Sequence, residues 1–147
     1  DLKITALDAT AKKLEFVSVA AELLGLKNIS PLCGRAEALG RDPAHRERYG
    51  YAAARAVAPL SELLEYCLPL VAPGGKFFAM KGSRWATETD GAGAALGILC
   101  GKISETREFT IGGLEAPQKH AVIIVQKTAR TPVNYPRNNA QISKKPL

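Results

Sequence analysis

The feature that most constrains this chain is a strand-like segment that ends on a carboxylate and runs directly into an amphipathic helix. Residues Lys3–Leu7 alternate along the segment and Asp8 closes it. Thr10 is a candidate helix N-cap, and Gly25 lies where a left-handed residue is expected to end the helix. Between them, apolar side chains recur at three- and four-residue spacing at Leu14, Val17, Ala21 and Leu24. A strand that leads at once into a helix is the unit from which parallel sheets are built.

The same unit recurs through the middle of the chain. Further strands are predicted at Ile29–Cys33, Tyr51–Val57 and Lys76–Met80. Residues 34–39 are predicted to form a turn into a short helix, and a longer helix is predicted from Pro59 through Leu68. After a loop around Trp85, Asp90 is a candidate cap for a further helix through Leu99. The apolar character of Tyr51–Val57 predicts a buried strand, and Pro73-Gly74-Gly75 is expected to end the connection before the next one. Alternating strands and helices indicate an α/β fold with a mostly parallel sheet.

The end of the chain predicts a different arrangement. Two β-rich segments, Lys102–Ile111 and His120–Lys127, are separated by a turn with Gly112, Gly113 and Pro117, which predicts an antiparallel hairpin. Ala121–Val125 is continuously apolar, as in a strand that is covered on both faces. The last twenty residues contain three prolines and no periodicity. We therefore expect a folded domain over residues 1–127 and an extended tail over 128–147.

The charges of the tail suggest a polyanionic partner. The whole chain has a formal net charge of +6. From Lys127 onward every charged residue is basic, namely Lys127, Arg130, Arg137, Lys144 and Lys145. Such a tail suits a nucleic acid. A solvated tail that only aids solubility is the alternative.

Several function classes are disfavoured by composition. The three cysteines are far apart without a C-x-x-C pair, and only two histidines are present, so no metal site is expected and the cysteines are predicted to be buried free thiols. No apolar run is long enough to cross a bilayer, and no signal peptide is recognisable at the start. The chain opens on Asp1 and its single methionine is Met80, so we expect a fragment of a longer protein.

Candidate site residues lie at the carboxyl ends of the predicted strands, where open α/β sheets bind their ligands. Asp8 could accept both hydroxyl protons of a cofactor ribose, or it could simply open the turn before Thr10. The backbone amides of Gly34-Arg35-Ala36-Glu37 could meet an adenine edge, although the same residues would suit an ordinary strand-to-helix turn. Asp8 on its own does not distinguish a nicotinamide cofactor from an adenosylmethionine cofactor.

Arg55 is the most informative single residue. It is the only charge in the run from Tyr51 to Leu60, and arginine is rarely buried without a partner. At a strand end, near Ala54–Ala56, its planar guanidinium could grip a phosphate or a carboxylate in a cleft. A structural salt bridge is the alternative. Lys81 holds the corresponding place after the next strand.

Taken in order, these segments resemble the ribosomal RNA small-subunit methyltransferase G family, also called glucose-inhibited division protein B. The matching segments are 6–13 with Phe16, Gly34–Glu37, Arg55–Leu60, Leu68–Leu70, Pro73–Gly75, Lys81-Gly82, Lys127–Ala129, Thr131-Pro132, Tyr135–Arg137 and Lys144–Leu147. Any one of them is weak evidence. Their order and spacing over nearly the whole chain are specific.

The resemblance implies a Rossmann-like class I S-adenosylmethionine methyltransferase fold and transfer of a methyl group to N7 of a guanine in 16S ribosomal RNA. It implies cofactor contacts at Asp8, Arg35, Ala36, Glu37 and Arg55, with Arg55 also flanking the methyl-transfer cleft as the catalytic candidate. It further implies RNA contacts at Lys81, Arg137, Lys144 and Lys145. The expected partner is the small ribosomal subunit, in a bacterial cytoplasm or a plastid, with no metal, no membrane and a monomeric parent protein.

The chain departs from the family pattern in two ways. The family's glycine-rich loop, first strand and amino-terminal helices would precede Asp1, so we expect exposed strand edges, self-association and weak cofactor binding for this chain alone. Gly50 stands where members usually carry an acid. Two other interpretations stay open, a non-catalytic RNA-binding module or inactive truncated methyltransferase, and a nicotinamide-dependent oxidoreductase.

Overall fold

A computed structural model describes residues 2–55, 57–112 and 117–147, so that Ala56 and Gly113 lie outside the described residues. The strands of the described part are β1 (Ile4–Asp8), β2 (Ile29–Cys33), β3 (Tyr49–Arg55), β4 (Val71–Lys81), β5 (Gly101–Ile111) and β6 (Gln118–Lys127). The helices are α1 (Ala11–Leu23), α2 (Ala36–Leu39), α3 (Leu60–Cys67), α4 (Trp85–Asp90), α5 (Gly93–Ile98) and α6 (Asn139–Lys144). The predicted α/β class is confirmed.

The strands form two sheets rather than one continuous sheet. β1 and β2 pair in parallel, and a second sheet has the order β3-β4-β6-β5. In the second sheet β3 and β4 are parallel, whereas β4–β6 and β5–β6 are antiparallel. Among the described residues, β1 and β3 each have only one strand partner. The predicted carboxy-terminal hairpin is confirmed.

The β1–α1 junction follows the predicted order, but its cap differs from the prediction. Thr10 occupies the N-cap position without a capping hydrogen bond from its side chain. Asp8 instead accepts a hydrogen bond from the Thr10 backbone N–H at 2.8 Å, which tightens the turn. At the other end Gly25 has φ +66° and Leu26 N donates to Ala21 O at 2.8 Å, the arrangement of a left-handed helix stop.

β4 is longer than predicted because the Pro73-Gly74-Gly75 segment continues it. An irregularity in the pairing with β3 lies between Tyr49 and Tyr51 and accommodates this segment. Gly74 has φ +85°, which favours glycine. A Cβ on Gly75 would lie 2.4 Å from the Gly50 carbonyl oxygen, so only glycine allows the two strands to come this close.

The core lies on one face of the four-stranded sheet. α3 covers it with Leu60, Leu63 and Leu64, and the sheet contributes Phe77, Ala79, Ile123 and Val125, all at most 1% exposed. On β3, Ala52 and Ala54 pack against this core. Tyr51, Ala53 and Arg55 point to the other face and are exposed. The prediction of a fully buried strand at this place is therefore wrong, because only one of its two faces is covered.

The region around Trp85 was predicted as a loop followed by one helix, which is wrong. It forms two short helices, and Asp90 ends the first instead of capping the second. Ala92, Ala95 and Leu99 are fully buried. Small side chains allow this segment to pack closely against the core, and that tertiary packing decides its path.

The predicted extended tail is wrong at residues 139–144, which form α6. α6 carries a capping box made by Asn138 and Gln141, and its Ile142 is fully buried. Arg41 Nε donates to Pro136 O at 2.7 Å, and the Arg46 guanidinium donates to Thr131 O at 2.7 Å and Tyr135 O at 2.8 Å. Guanidinium groups from a distant connector thus satisfy the tail carbonyls and hold the tail against the domain.

No helix among the described residues has both the length and the apolar character needed to span a membrane.

Candidate functional site

The ends of β1 and β2 bring two of the predicted site segments together. Asp8 and Cys33 are register partners, and Gly34 N donates to Asp8 O at 3.1 Å. The carboxylate of Asp8 and the turn at residues 34–37 therefore lie side by side at the carboxyl end of one parallel pair. This is the edge at which open α/β sheets bind ligands.

Asp8 carries a stabilised negative charge. The Thr10 backbone N–H, and then Lys13 Nζ at 3.2 Å, lower the pKa of this carboxyl below its ordinary value. Its side chain is 32% exposed, so a ligand can reach it. The turn-opening hydrogen bond that was the alternative interpretation is present. It occupies Oδ1, while Oδ2 faces Lys13.

The turn after β2 presents backbone amides at the start of α2. Arg35 is the N-cap residue without a side-chain cap and is exposed, whereas Ala36 and Glu37 are half-buried. The far end of α2 is braced by the tail. A Cβ on Gly40 would lie 3.0 Å from Pro136 Cγ and 3.1 Å from Pro69 Cβ. Arg46 Nη1 also donates to Gly40 O at 2.7 Å. The position of this turn therefore depends on the docked tail.

Arg55 lies at the end of β3 and is exposed. It pairs in register with Met80 of β4, next to Lys81. Within the described residues its guanidinium makes no hydrogen bond or ion pair, so the structural salt bridge considered as the alternative is not seen there. Its location leaves the cation available to an anionic or nucleic-acid ligand.

Lys81 has internal partners that the sequence did not predict. Its Nζ lies 2.6 Å from Glu88 Oε2 and donates to Ala58 O at 2.8 Å, and the side chain is 8% exposed. Glu88 Oε2 also accepts from Leu60 N at 2.9 Å, at the start of α3. This lysine thus joins three elements near the sheet edge.

Arg137, like Lys81, is paired with a carboxylate of the protein itself. Its guanidinium forms a two-pronged ion pair with Glu65, with Nη2 donating to Oε2 at 2.6 Å and Nε donating to Oε1 at 2.9 Å. Glu65 is fully buried in α3. A carboxylate in the middle of an apolar helix was the sequence signal for such a partner. Lys144 and Lys145, also predicted to contact RNA, are exposed at the end of α6.

A buried charge cluster links β6 to the connector before β3. Lys127 is fully buried, and its Nζ donates to Leu68 O at 2.7 Å and to Thr131 Oγ1. Glu47 Oε1 lies 3.6 Å from Nζ and accepts from Thr131 N at 2.7 Å. Burial lowers the pKa of Lys127 from 10.5 to about 8, against the opposing effect of Glu47. The cluster fixes the tail where it leaves the sheet.

The cysteines match the prediction only in part. All three are free, but Cys33 is exposed at the end of β2 rather than buried. Burial raises the pKa of the Cys67 thiol to about 12. The described residues hold no group of histidine, cysteine and carboxylate side chains able to bind a metal ion.

The fold belongs to the Rossmann-like methyltransferase class. A solved geranyl diphosphate methyltransferase in complex with SAM superposes with a TM-score of 0.60 at 10% identity, covering 86% of this chain and 69% of that one. Such coverage cannot be reached from either sheet alone, so the match includes both. At this identity the likeness concerns the fold.

The chain belongs to the rRNA small subunit methyltransferase G family, whose model matches residues 1–116. The ribosomal RNA small subunit methyltransferase G of Acetivibrio thermocellus is 44% identical over 147 residues, covering 100% of this chain and 60% of that protein. The protein of the same name from Alkaliphilus metalliredigens is 40% identical over 146 residues, covering 99% and 60%. The chain thus spans about three fifths of the length of these relatives.

Proposed function

We propose that the whole protein containing this sequence transfers a methyl group from S-adenosylmethionine to N7 of a guanine in small-subunit ribosomal RNA. One observation supports this most directly. The resemblance matches Asp8 to the acid that holds the cofactor ribose, and Ala36 and Glu37 to the adenine-side contact. Asp8 and the turn at Arg35–Glu37 lie next to each other at the carboxyl end of a parallel strand pair. This is the location that a nucleoside cofactor requires in such a fold.

The Asp8 carboxylate suits the ribose of an adenosine, and the turn at Arg35–Glu37 suits its adenine. The ionised Asp8 carboxylate can accept hydrogen bonds from both ribose hydroxyls. For this it must exchange its contact with Lys13, whose side chain is 69% exposed and costs little to move. The backbone around Ala36 and Glu37 would meet the adenine edge, with Arg35 beside it. Arg55, exposed at the end of β3, would flank the methyl-transfer cleft.

The proposed reaction requires alignment more than acid–base chemistry. S-adenosylmethionine supplies a methyl group on a sulfonium sulfur. The N7 lone pair of guanine is free at neutral pH, so it can form the new N–C bond while the C–S bond electrons return to sulfur. No proton has to be removed from N7. The protein residues therefore act by holding the two reactants in line.

The exposed cations Lys144 and Lys145 are proposed to contact the RNA backbone, where each would contribute salt-dependent binding. For Lys81 and Arg137 we revise the sequence-based prediction. Both cations are already neutralised by carboxylates, Glu88 and Glu65 respectively, and breaking a buried pair is costly. We propose that they position structural elements.

The substrate would determine where the protein acts. A methyltransferase of small-subunit ribosomal RNA works where that subunit is assembled, which we propose to be a bacterial cytoplasm or a plastid. We also propose that the whole protein is a monomer.

The test compares Asp8→Asn with the unchanged whole protein. Asparagine keeps an oxygen that can accept from Thr10 N, but it lacks the charge and the second acceptor. We expect the variant to fold normally and to lose at least roughly 10-fold in affinity for S-adenosylmethionine by calorimetry. Methyl transfer from labelled cofactor to small-subunit ribosomal RNA should fall in parallel. Unchanged cofactor affinity, or no methylation of this RNA by the unchanged protein, would refute the proposal.

A further inference from the structure

The β5–β6 hairpin extends beyond the end of its neighbour β4. The pair Lys81 with Ala121 is the last register position between β4 and β6. β5 and β6 continue to pair past this point through Phe109 with His120, Thr110 with Lys119 and Ile111 with Gln118. The hairpin thus forms a two-stranded arm at the carboxyl end of β3 and β4, which is the side of the sheet where Arg55 lies.

This arm carries a stacked aromatic pair with an accessible surface. The rings of Phe109 and His120 have centroids 5.7 Å apart and an interplanar angle of 21°. Phe109 is 46% exposed, and the neighbouring Ile111 is also 46% exposed. Large apolar side chains at the projecting end of a hairpin lose contact with the core. Phe109 and Ile111 therefore give the arm an accessible apolar surface.

The aromatic pair shares its sheet face with Arg55. Register partners Arg55, Met80, Val122 and Arg107 form one row across the four strands. Side chains on a strand alternate between the two faces of the sheet. His120 comes two residues before Val122 on β6, and Phe109 comes two residues after Arg107 on β5, so both lie on the same face as that row. Two interstrand spacings and two residues along the strand place His120 roughly 12 Å from Arg55.

We infer that Phe109 and His120 form a stacking platform for an unpaired base of the RNA substrate, close to the guanine that is methylated. This rests on the function proposed above and adds a contact to it. An RNA base offers a flat π-face, and proteins bind unpaired bases by stacking them on aromatic side chains. Phe109, the more exposed ring, lies one strand further from β3 than His120, roughly 16 Å from Arg55. Arg107 on the same face is paired with Glu105 at 2.6 Å, an exposed ion pair that contributes little by itself.

The test uses the whole protein with a short single-stranded RNA that carries 2-aminopurine, whose fluorescence is quenched on stacking. We expect Phe109→Ala and Phe109→Leu to weaken RNA binding by roughly 5- to 150-fold, the effect of losing one base stack. Both should also abolish the quenching. Phe109→Trp, which keeps an aromatic face, should bind and quench like the unchanged whole protein. Thr110→Ala, on the opposite face of the arm, is the matched control.

Each outcome bears on the platform. RNA binding of Phe109→Leu equal to that of the unchanged protein would overturn it, since leucine keeps the apolar contact but has no π-face. In that case the proposed methyltransferase function would stand. Failure of the unchanged whole protein to bind RNA would overturn both the platform and the RNA part of the proposed function, while calorimetry still reports cofactor binding separately. His120→Ala with weakened quenching but unchanged melting temperature would support the stacked pair as the binding unit.

Discussion

Buried ionisable side chains at single positions control how this fold responds to pH. Lys127 is enclosed by Leu68, Thr131 and Glu47 in a place where no solvent reaches its ammonium group. Burial disfavours the charged form, and one nearby carboxylate does not compensate fully, so the pKa falls to about 8. A buried lysine with a pKa of about 8 is unusual, and its protonation is linked to the stability of the fold.

The free energy of unfolding should therefore rise between pH 8 and pH 9 through Lys127. The folded state loses its proton near pH 8, while the unfolded chain keeps it up to 10.5, so raising the pH removes a buried charge from the folded state only. This range lies at or below 9.0, the ordinary pKa of the Cys67 thiol, which limits the opposing contribution of that group. Urea unfolding at each pH measures the change.

Lys127→Met is the matched comparison because it keeps a similar length without a charge. Its unfolding free energy should lack the rise seen with the unchanged chain over the same pH range. Parallel pH profiles for the two proteins would show that the lysine does not titrate as stated.

Ion pairs between elements, rather than the helix or strand propensity of the tail itself, hold the end of the chain against the domain. Glu65 of α3 and Arg137 of the tail meet 72 residues apart in sequence. Tyr66 of the same helix donates from its hydroxyl to Asn139 Oδ1 at 2.8 Å. Together with the guanidinium of Arg46, these contacts convert a segment without periodicity into a folded element that ends in α6.

Arg137→Ala should destabilise the chain by roughly 3 kcal/mol, because it leaves Glu65 buried without its cation. The double variant Glu65→Met with Arg137→Met should recover much of that loss, since no unpaired charge remains. Chemical unfolding monitored by circular dichroism measures both. A near-neutral Arg137→Ala would mean that the pair contributes little and that this arginine is free for a ligand.

A second prediction concerns the contact between the tail and α2. Gly40→Ala places a Cβ at 3.0 Å from Pro136 Cγ and 3.2 Å from Ala36 O, closer than ordinary packing. Relieving such overpacking should cost roughly 1–3 kcal/mol and shift the turn at Arg35–Glu37.

Gly50→Ala is the control for this substitution, because a Cβ there meets nothing within 4 Å. It should leave stability unchanged or slightly raised. Amide exchange at residues 34–40 provides the local readout. Equal exchange in the Gly40→Ala variant and the unchanged chain would contradict bracing of this turn by the tail.

The whole molecule exposes surfaces that a closed α/β domain would cover. β1 and β3 each lack a second strand partner among the described residues, and the sheet face that carries Tyr51 and Met80 is open. α1 has a buried side with Leu14 and Ala21 and a second apolar side, where Phe16 is 74% and Leu23 is 82% exposed. A helix that is apolar on two sides is expected to be packed on both.

This chain by itself should therefore self-associate. Unpaired strand edges and exposed apolar side chains are both association hazards. Sedimentation velocity should show oligomers that grow with concentration, and Phe16→Lys with Leu23→Lys should reduce them without unfolding α1. A single monomeric species at all concentrations, with one sharp unfolding transition, would contradict this expectation.

Cofactor binding by this chain alone should be weak for the same reason, since much of the sheet around Asp8 is uncovered. Calorimetry with S-adenosylmethionine measures it. A micromolar dissociation constant would show that the described residues suffice for the site.

The local features of this protein could be predicted from its sequence. Short-range patterns predict β1, α1 and the leucine stripe of α3, because each depends on neighbours within a few residues. The same is true of the helix stop at Gly25 and of the carboxylate and the turn that end β1 and β2. The family likewise follows from the order of short motifs.

Only the tertiary structure decided which charges meet and which faces are covered. The pairs Arg137 with Glu65 and Lys127 with Glu47, and the contacts of Arg46 with the tail, join residues that are distant in the chain. No periodicity encodes such partners, since the energy of a buried ion depends on its complete surroundings. The same holds for the open face shared by Arg55 and Phe109, which follows from strand register across four strands and from what packs on each side.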